Sequence, residues 1–126
     1  MTRVLVVDDD EQSRRLVRRA LDKMPGAEVM EAQDGAEGLD VAHQRRPDVI
    51  LLDIKMPRMD GIEFLKRSSR DESLSDVPVM MVTAVSDRQQ IIISVSHGAR
   101  DYVVKPFDPV GLVTKIKRLL ADNAVR

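Results

Sequence analysis

The sequence predicts an α/β fold built on a parallel sheet with helices on both faces. Two observations carry this. Short apolar runs alternate five times with segments of helical periodicity, joined by short connections. The central run, residues 49–52, is apolar at every position, as strands buried on both faces are. Such alternation implies right-handed crossovers between parallel strands.

The elements follow in order. Residues 4–7 form a β-branched run ending in Asp8, Asp9 and Asp10. Residues 11–23 read as a helix with Leu16, Val17, Ala20 and Leu21 at core spacing, and Pro25-Gly26 ends it. Asp10 suits that helix's N-cap better than a metal. Residues 28–32 read as a second strand. Asp34 then caps a second helix, with Glu37 closing a capping box, Leu39 and Ala42 facing inward and Pro47 just past the end. The third strand, 49–52, ends at Asp53, and a Pro/Gly-punctuated loop, 54–61, follows. Asp60 and Glu63 make a second capping box before a helix carrying Ile62 and Leu65. Residues 77–82 read as a fourth strand ending at Thr83, with Pro78 near its start, where a missing N–H does least harm. Ser86 and Gln89 can cap a fourth helix, 87–97, which Gly98 stops. Residues 102–104 form a short fifth strand ending at Lys105-Pro106. Asp108-Pro109, an N-cap followed by proline, opens a last helix with Leu112, Ile116, Leu119 and Leu120 on its core face. Residues 122–126 read as a frayed end.

Composition excludes several classes. The 126 residues make one domain, 1–126, and 43% hydrophobic content supplies one ordinary core. Charged residues reach 33% but sum to −1, and aromatics are limited to Phe64, Tyr102 and Phe107, which argues against direct nucleic-acid binding. Without cysteine there is no disulfide framework, Cys-based zinc site or thiol catalysis. No apolar run approaches membrane-spanning length, and since Met1 leads straight into a strand-like run no signal peptide is expected. A cytoplasmic domain is expected.

The polar residues collect at strand ends. Asp8-Asp9, Asp53, Thr83 and Lys105 all follow strands, and ligands of open parallel sheets bind outside the carboxyl ends of strands. Three carboxylates placed together repel one another, and a divalent cation relieves that repulsion. Oxygen ligands suit Mg²⁺ or a similar ion such as Mn²⁺. An aspartate can serve as nucleophile and form an acyl phosphate. With metal, Lys105 and Thr83 available to phosphoryl oxygens, the pocket suits phosphoryl transfer by positioning and electrostatics.

In this arrangement the chain resembles the receiver domain of two-component response regulators. The resemblance rests on Val7-Asp8-Asp9, Leu52-Asp53, Met56-Pro57, Met59-Asp60-Gly61, Thr83-Ala84, Gly98-Ala99-Arg100-Asp101-Tyr102 and Lys105-Pro106-Phe107, all in order. It implies a flavodoxin-like three-layer (βα)5 fold with strand order 2-1-3-4-5. It further implies that Asp53 is the phosphoacceptor, served by a histidine kinase or phosphotransferase. Asp8, Asp9, Asp53 and the backbone carbonyl of Lys55 would bind Mg²⁺. Lys105 would pair with a phosphoryl oxygen, with the Lys105–Pro106 bond cis. Thr83 would bond the phosphoryl group and Tyr102 would change rotamer in response. Two residues depart from common family patterns. Lys55 places a long cation, and Val85 an apolar side chain, along the path of a hydrolytic water.

Ordinary readings compete at several positions. His43 and His97 read as surface or helix-end residues. Arg14, Arg15, Arg18, Arg19 and Lys23 read as a solvated basic face, with kinase docking as the alternative. Ile91-Ile92-Ile93 cannot all face inward, because consecutive helical residues point about 100° apart. Ile92 and Val95 are expected to share the inward face, leaving Ile91 or Ile93 exposed. Together with Tyr102 these would mark a homodimer or effector surface on the fourth helix, fifth strand and last helix. A turnover phosphatase of the Asp-x-Asp-x-Thr type is disfavoured, since that signature is absent after the strands. A phosphorylation-independent module would lack one of the acids or the lysine. The expected role is a switch that controls a partner or output domain, and not an enzyme.

Overall fold

Strand residues alternate between two cores. The protein is described by a computed structural model covering residues 1–84 and 87–124. Its strands are β1 (Thr2–Val7), β2 (Ala27–Ala32), β3 (Val49–Leu52), β4 (Val79–Ala84) and β5 (Asp101–Lys105). Its helices are α1 (Glu11–Leu21), α2 (Gly35–Arg45), α3 (Gly61–Arg70), α4 (Arg88–Ser96) and α5 (Pro109–Ala124). All strand pairs are parallel, in the order β2-β1-β3-β4-β5. Val4, Val6, Val49, Leu51, Met80 and Val82 point to the side where α1 and α5 supply Val17, Ala20, Leu112 and Ile116. Leu5, Val7, Ile50, Leu52, Val79 and Met81 point to the other, against Ala42, Phe64 and Leu65 of α2 and α3. The expected three-layer arrangement and strand order are therefore observed.

Boundaries shift for identifiable reasons. β4 begins at Val79 and not at residue 77, because Pro78 offers no N–H and contributes only its carbonyl, which accepts from Ile50 N–H at 3.0 Å. Asp10, Asp34 and Asp60 each cap a helix through a backbone N–H, those of Gln12, Glu37 and Glu63. Asp108 likewise accepts from Gly111 N–H at 3.1 Å. Of the frayed end expected over 122–126, residues 122–124 are helical, and 125–126 lie outside the described residues. α5 runs to Ala124, and Asn123 Oδ1 accepts from Arg100 at 2.9 Å. The capping role expected for Ser86, and the position of Val85, lie outside the described residues.

Three expectations about side-chain faces are corrected. Leu16 is 48% exposed, since Val17, Ala20 and Leu21 already fill the inward stripe of α1. Arg14 is not solvated: it is 8% exposed and donates to Glu31 and to the backbone of Asp8. On α4 the expected faces are reversed. Ile91 packs against the core and Ser94 is fully buried, while Ile92 and Val95 are 65% and 53% exposed. Ser94 can take the inward position because it is small and its hydroxyl is satisfied by Ile91 O at 2.6 Å. Ile93 is exposed, as one of the two expected residues had to be.

His43, in the last turn of α2, is half exposed and reaches across to the residue that ends α3. Its Nε2 lies 2.5 Å from Asp71 Oδ2. This hydrogen bond, followed by those from the Ser73 hydroxyl and N–H, holds the Asp71 carboxyl at about 2, below its ordinary 3.8. A depressed carboxylate pKa stabilises the fold above the unfolded-state pKa, and the gain is lost as pH falls from about 3.8 through about 2. The stability difference between wild type and Asp71→Asn should therefore shrink across that window. A carbon-detected titration of the Asp71 carboxyl checks this, and an ordinary midpoint would contradict it.

Candidate functional site

The sheet register brings the strand-end residues to one edge. Val7 pairs with Leu52, Leu52 with Met81, and Ala84 with Lys105. Asp8 and Asp53 each follow the last ladder residue of adjacent strands, and Asp53 N–H donates to Val7 O at 3.0 Å. Asp8 N–H donates to Ala32 O at 3.0 Å. Thr83, 1% exposed, sits near the end of β4, and Lys105 at the end of β5, followed by a cis bond to Pro106.

Within this edge one carboxylate oxygen each from Asp8, Asp9 and Asp53 falls within 4.8 Å of the others. Asp8 is buried, Asp53 half-buried and Asp9 exposed, so the cluster opens to solvent through Asp9. Lys105 Nζ reaches Asp8 Oδ2 at 2.8 Å and Asp53 Oδ2 at 3.3 Å. Asp53 Oδ1 accepts from Ile54 N–H at 2.8 Å. Burial first, then the Asp8 charge, raises the Asp53 pKa, against the opposing pull of Lys105 and the Ile54 N–H. For Lys105, burial alone would lower the pKa, but the contacts with Asp8 and Asp53 together outweigh it and raise it. The all-oxygen donor set of three acids fits a hard divalent cation.

The β3–α3 loop covers one side of the edge. It carries Lys55, whose exposed side chain reaches Asp87 Oδ2 at 3.3 Å, the residue just before α4. Arg58 takes φ 66 and donates to the buried Asp34 at 2.6 Å, while Gly35 N–H donates to Met59 O at 3.3 Å. These contacts fasten the loop to the head of α2. Asp87 and the Arg58–Asp34 pair were not legible beforehand, because each pairing depends on loops meeting in space. For Arg14, the acid Glu31 set between the apolar Met30 and Ala32 near the end of β2 was the available signal of a partner.

Tyr102, 43% exposed, lies on the outer face of β5 beside Ile92 and Val95, in an open groove also lined by Ile91 and Val104. Lys115 Nζ sits 5.3 Å from the ring centroid and donates to Tyr102 O at 2.7 Å. The apolar surface of this groove is therefore Ile92, Val95 and Tyr102, with the partly buried Ile91 beneath them, and the exposed Ile93 lies outside its lining. Among the described residues no helix is long and apolar enough to cross a membrane.

Comparison with known proteins agrees with this geometry. The model of the response regulator receiver domain matches residues 4–117. The DNA-binding dual master transcriptional regulator RpaA of Synechocystis is 40% identical over 120 residues, covering 95% of this chain and 49% of that protein. The phosphate regulon transcriptional regulatory protein PhoB of Pseudomonas aeruginosa is 39% identical over 117 residues, covering 93% of this chain and 51% of that protein. The chain thus spans about half the length of the curated relatives it matches. Among solved structures, the Vibrio cholerae chemotaxis protein CheY4 is 36% identical with a TM-score of 0.85, covering 94% of this chain and 98% of that one. The signal receiver domain of a Syntrophus aciditrophicus signal transduction histidine kinase is 29% identical with a TM-score of 0.87, covering 97% and 92%. With its strand order, its acidic edge and a family match across nearly its whole length, the chain belongs to the response regulator receiver domains of two-component signalling.

Proposed function

We propose that this receiver is a phosphorylation-dependent switch that accepts a phosphoryl group on Asp53 from a histidine kinase or phosphotransferase. The observation that carries the reading is one ammonium, Lys105, bridging Asp8 at 2.8 Å and Asp53 at 3.3 Å beside a third acid. That is the charge pattern a phosphoryl group requires at an aspartate nucleophile.

An Asp53 carboxylate oxygen attacks phosphorus. The new P–O bond forms as the donor's P–N bond breaks, and the electron pair leaves with the donor imidazole. Asp8, Asp9, Asp53 and the Lys55 carbonyl would hold Mg²⁺ or Mn²⁺, which when bound supplies positive charge against the phosphoryl oxygens. Lys105 exchanges its Asp53 carboxylate contact for a phosphoryl oxygen, and the Thr83 hydroxyl donates to another. Asp53 is itself modified in each cycle, so the domain assists its own phosphorylation and dephosphorylation without being a turnover enzyme.

The α4–β5–α5 face carries the response. Thr83 is coupled to it through β5, where Tyr102 swings with the phosphorylation state. This surface then engages an effector, an output domain or a second copy of the chain. Moving such an equilibrium from 1:99 to 99:1 takes about 5.5 kcal/mol of differential stabilisation. Transcriptional control is the output its named relatives suggest, through a part other than this domain. The domain works in the cytoplasm, without direct contact with membrane or nucleic acid.

Intact mass after incubation with acetyl phosphate tests the reading. A gain of one phosphoryl group that requires Mg²⁺ and vanishes in Asp53→Ala is expected. No gain with either acetyl phosphate or a kinase would overturn it.

A further inference from the structure

The basic residues of α1 are not equivalent. The Arg14 side chain is 10% exposed, against 39% for Arg18. Arg14 Nε donates to Glu31 Oε1 at 3.0 Å, and its Nη1 donates to the backbone carbonyl of Asp8 at 2.7 Å. Arg18 holds the other Glu31 oxygen at 2.5 Å. Glu31 lies near the end of β2, opposite Val6 of β1. A planar fork fixed at one end by a β2 carboxylate therefore presents one N–H to the peptide that follows β1.

That peptide matters because of where the ladder stops. The pairing of β1 with β2 ends at Val7 and Ala32, so the Asp8 carbonyl has no strand partner. With Arg14 in place, every polar atom of Asp8 is engaged. Its N–H meets Ala32 O at 3.0 Å, and its Oδ1 accepts from Asp10 N–H at 2.9 Å. Its Oδ2 accepts from Lys105 at 2.8 Å, and its carbonyl accepts from Arg14. The Asp8 carbonyl belongs to the peptide plane that joins Asp8 to Asp9. Among the described residues, the Asp9 carboxylate makes no hydrogen bond or ion pair of its own, so its aim depends on that plane.

We propose that Arg14 is a positioning residue for the metal-binding acids, fixing the Asp8–Asp9 peptide and being fixed in turn by Glu31. This rests on the reading of Asp8 and Asp9 as Mg²⁺ ligands. Arg14 touches neither metal nor phosphoryl group. It sets where two of the ligands point.

The test is calorimetric titration of the full chain with Mg²⁺, without phosphodonor, on wild type, Arg14→Gln, Arg14→Lys and Glu31→Gln, with thermal melts alongside. Arg14→Gln should weaken Mg²⁺ binding about tenfold, the scale of an outer-shell orienting group. Arg14→Lys keeps the charge but not the fork and should fall between, and Glu31→Gln should follow the same direction. As acetyl phosphate is omitted, a failure here is separate from a failure of Asp53 phosphorylation. Unchanged Mg²⁺ affinity in the arginine variants, with a lowered melting temperature, would make Arg14 structural only and overturn the inference. Absence of Mg²⁺ binding by wild type would overturn it as well. If Arg14→Gln does not fold, Arg14→Lys and Glu31→Gln decide.

Discussion

Phe64→Ala should cost about 3–5 kcal/mol of folding stability. Phe64 is fully buried and sits in the core layer between the sheet and helices α2 and α3. Its ring lies 3.1 Å from where a Cβ on Gly38 would stand, so α2 and α3 close on each other through an aromatic ring against a bare backbone. Removing the ring leaves a cavity that α2 cannot close without losing its contact with β1. Small domains carry about 5–15 kcal/mol in total, so the loss removes a large fraction of the margin. Urea titration of both proteins at neutral pH measures it. A midpoint close to wild type would mean that the two helices collapse into the space.

Gly61→Ala should damage the site more than the fold. A Cβ at Gly61 would stand 2.2 Å from the Asp53 backbone oxygen and 2.9 Å from Ile54 Cα. Gly61 N–H also donates to Ile54 O at 2.7 Å, which leaves the loop no slack on that side. Backbone must therefore move, and the backbone that moves belongs to Asp53, the proposed phosphoacceptor. A displacement of about 1 Å is enough to slow a positioned transfer about 10²-fold, while overpacking costs about 1–3 kcal/mol of stability. Initial rates of Asp53 phosphorylation, followed by intact mass, separate the two effects. An unchanged rate in a folded variant would show that the strain is absorbed in α3.

The acidic edge was legible because Asp8 and Asp53 each terminate an unmistakable apolar run. Val4–Val7 stops at Asp8, and Val49–Leu52 stops at Asp53. Once strands are recognised as parallel, their carboxyl ends share an edge, so convergence follows without coordinates. The caps at Asp10, Asp34, Asp60 and Asp108 were legible for a local reason, since each bonds a backbone N–H two or three residues ahead.

What escaped has a common cause. Arg14 looks like one member of a solvated basic run until Glu31 of β2 is placed beside it. Arg58 and Lys55 look like free loop cations until they meet Asp34 and Asp87. These pairs span 17 to 32 residues, and helical or strand periodicity carries no information about them. The orientation of α4 failed for a different reason. With Ile91, Ile92, Ile93 and Val95 apolar almost all round, the helix has no dominant stripe, and a serine decides its seating.

That seating bears on how much work the molecule must do to signal. Ser94 is the one buried residue of α4, and the helix begins without a side-chain cap bond. Little free energy of transfer from water is invested in holding it down, while its outer surface loses nothing by rotation or sliding. Such a segment forms a cooperative unit that opens well below the cost of global unfolding. Its amides should lose hydrogen-exchange protection before those of α3 or α5. Under the proposed switch, a modest bias at the sheet edge is then sufficient to re-seat α4, because the helix is held mainly by a small buried serine and the partly buried Ile91.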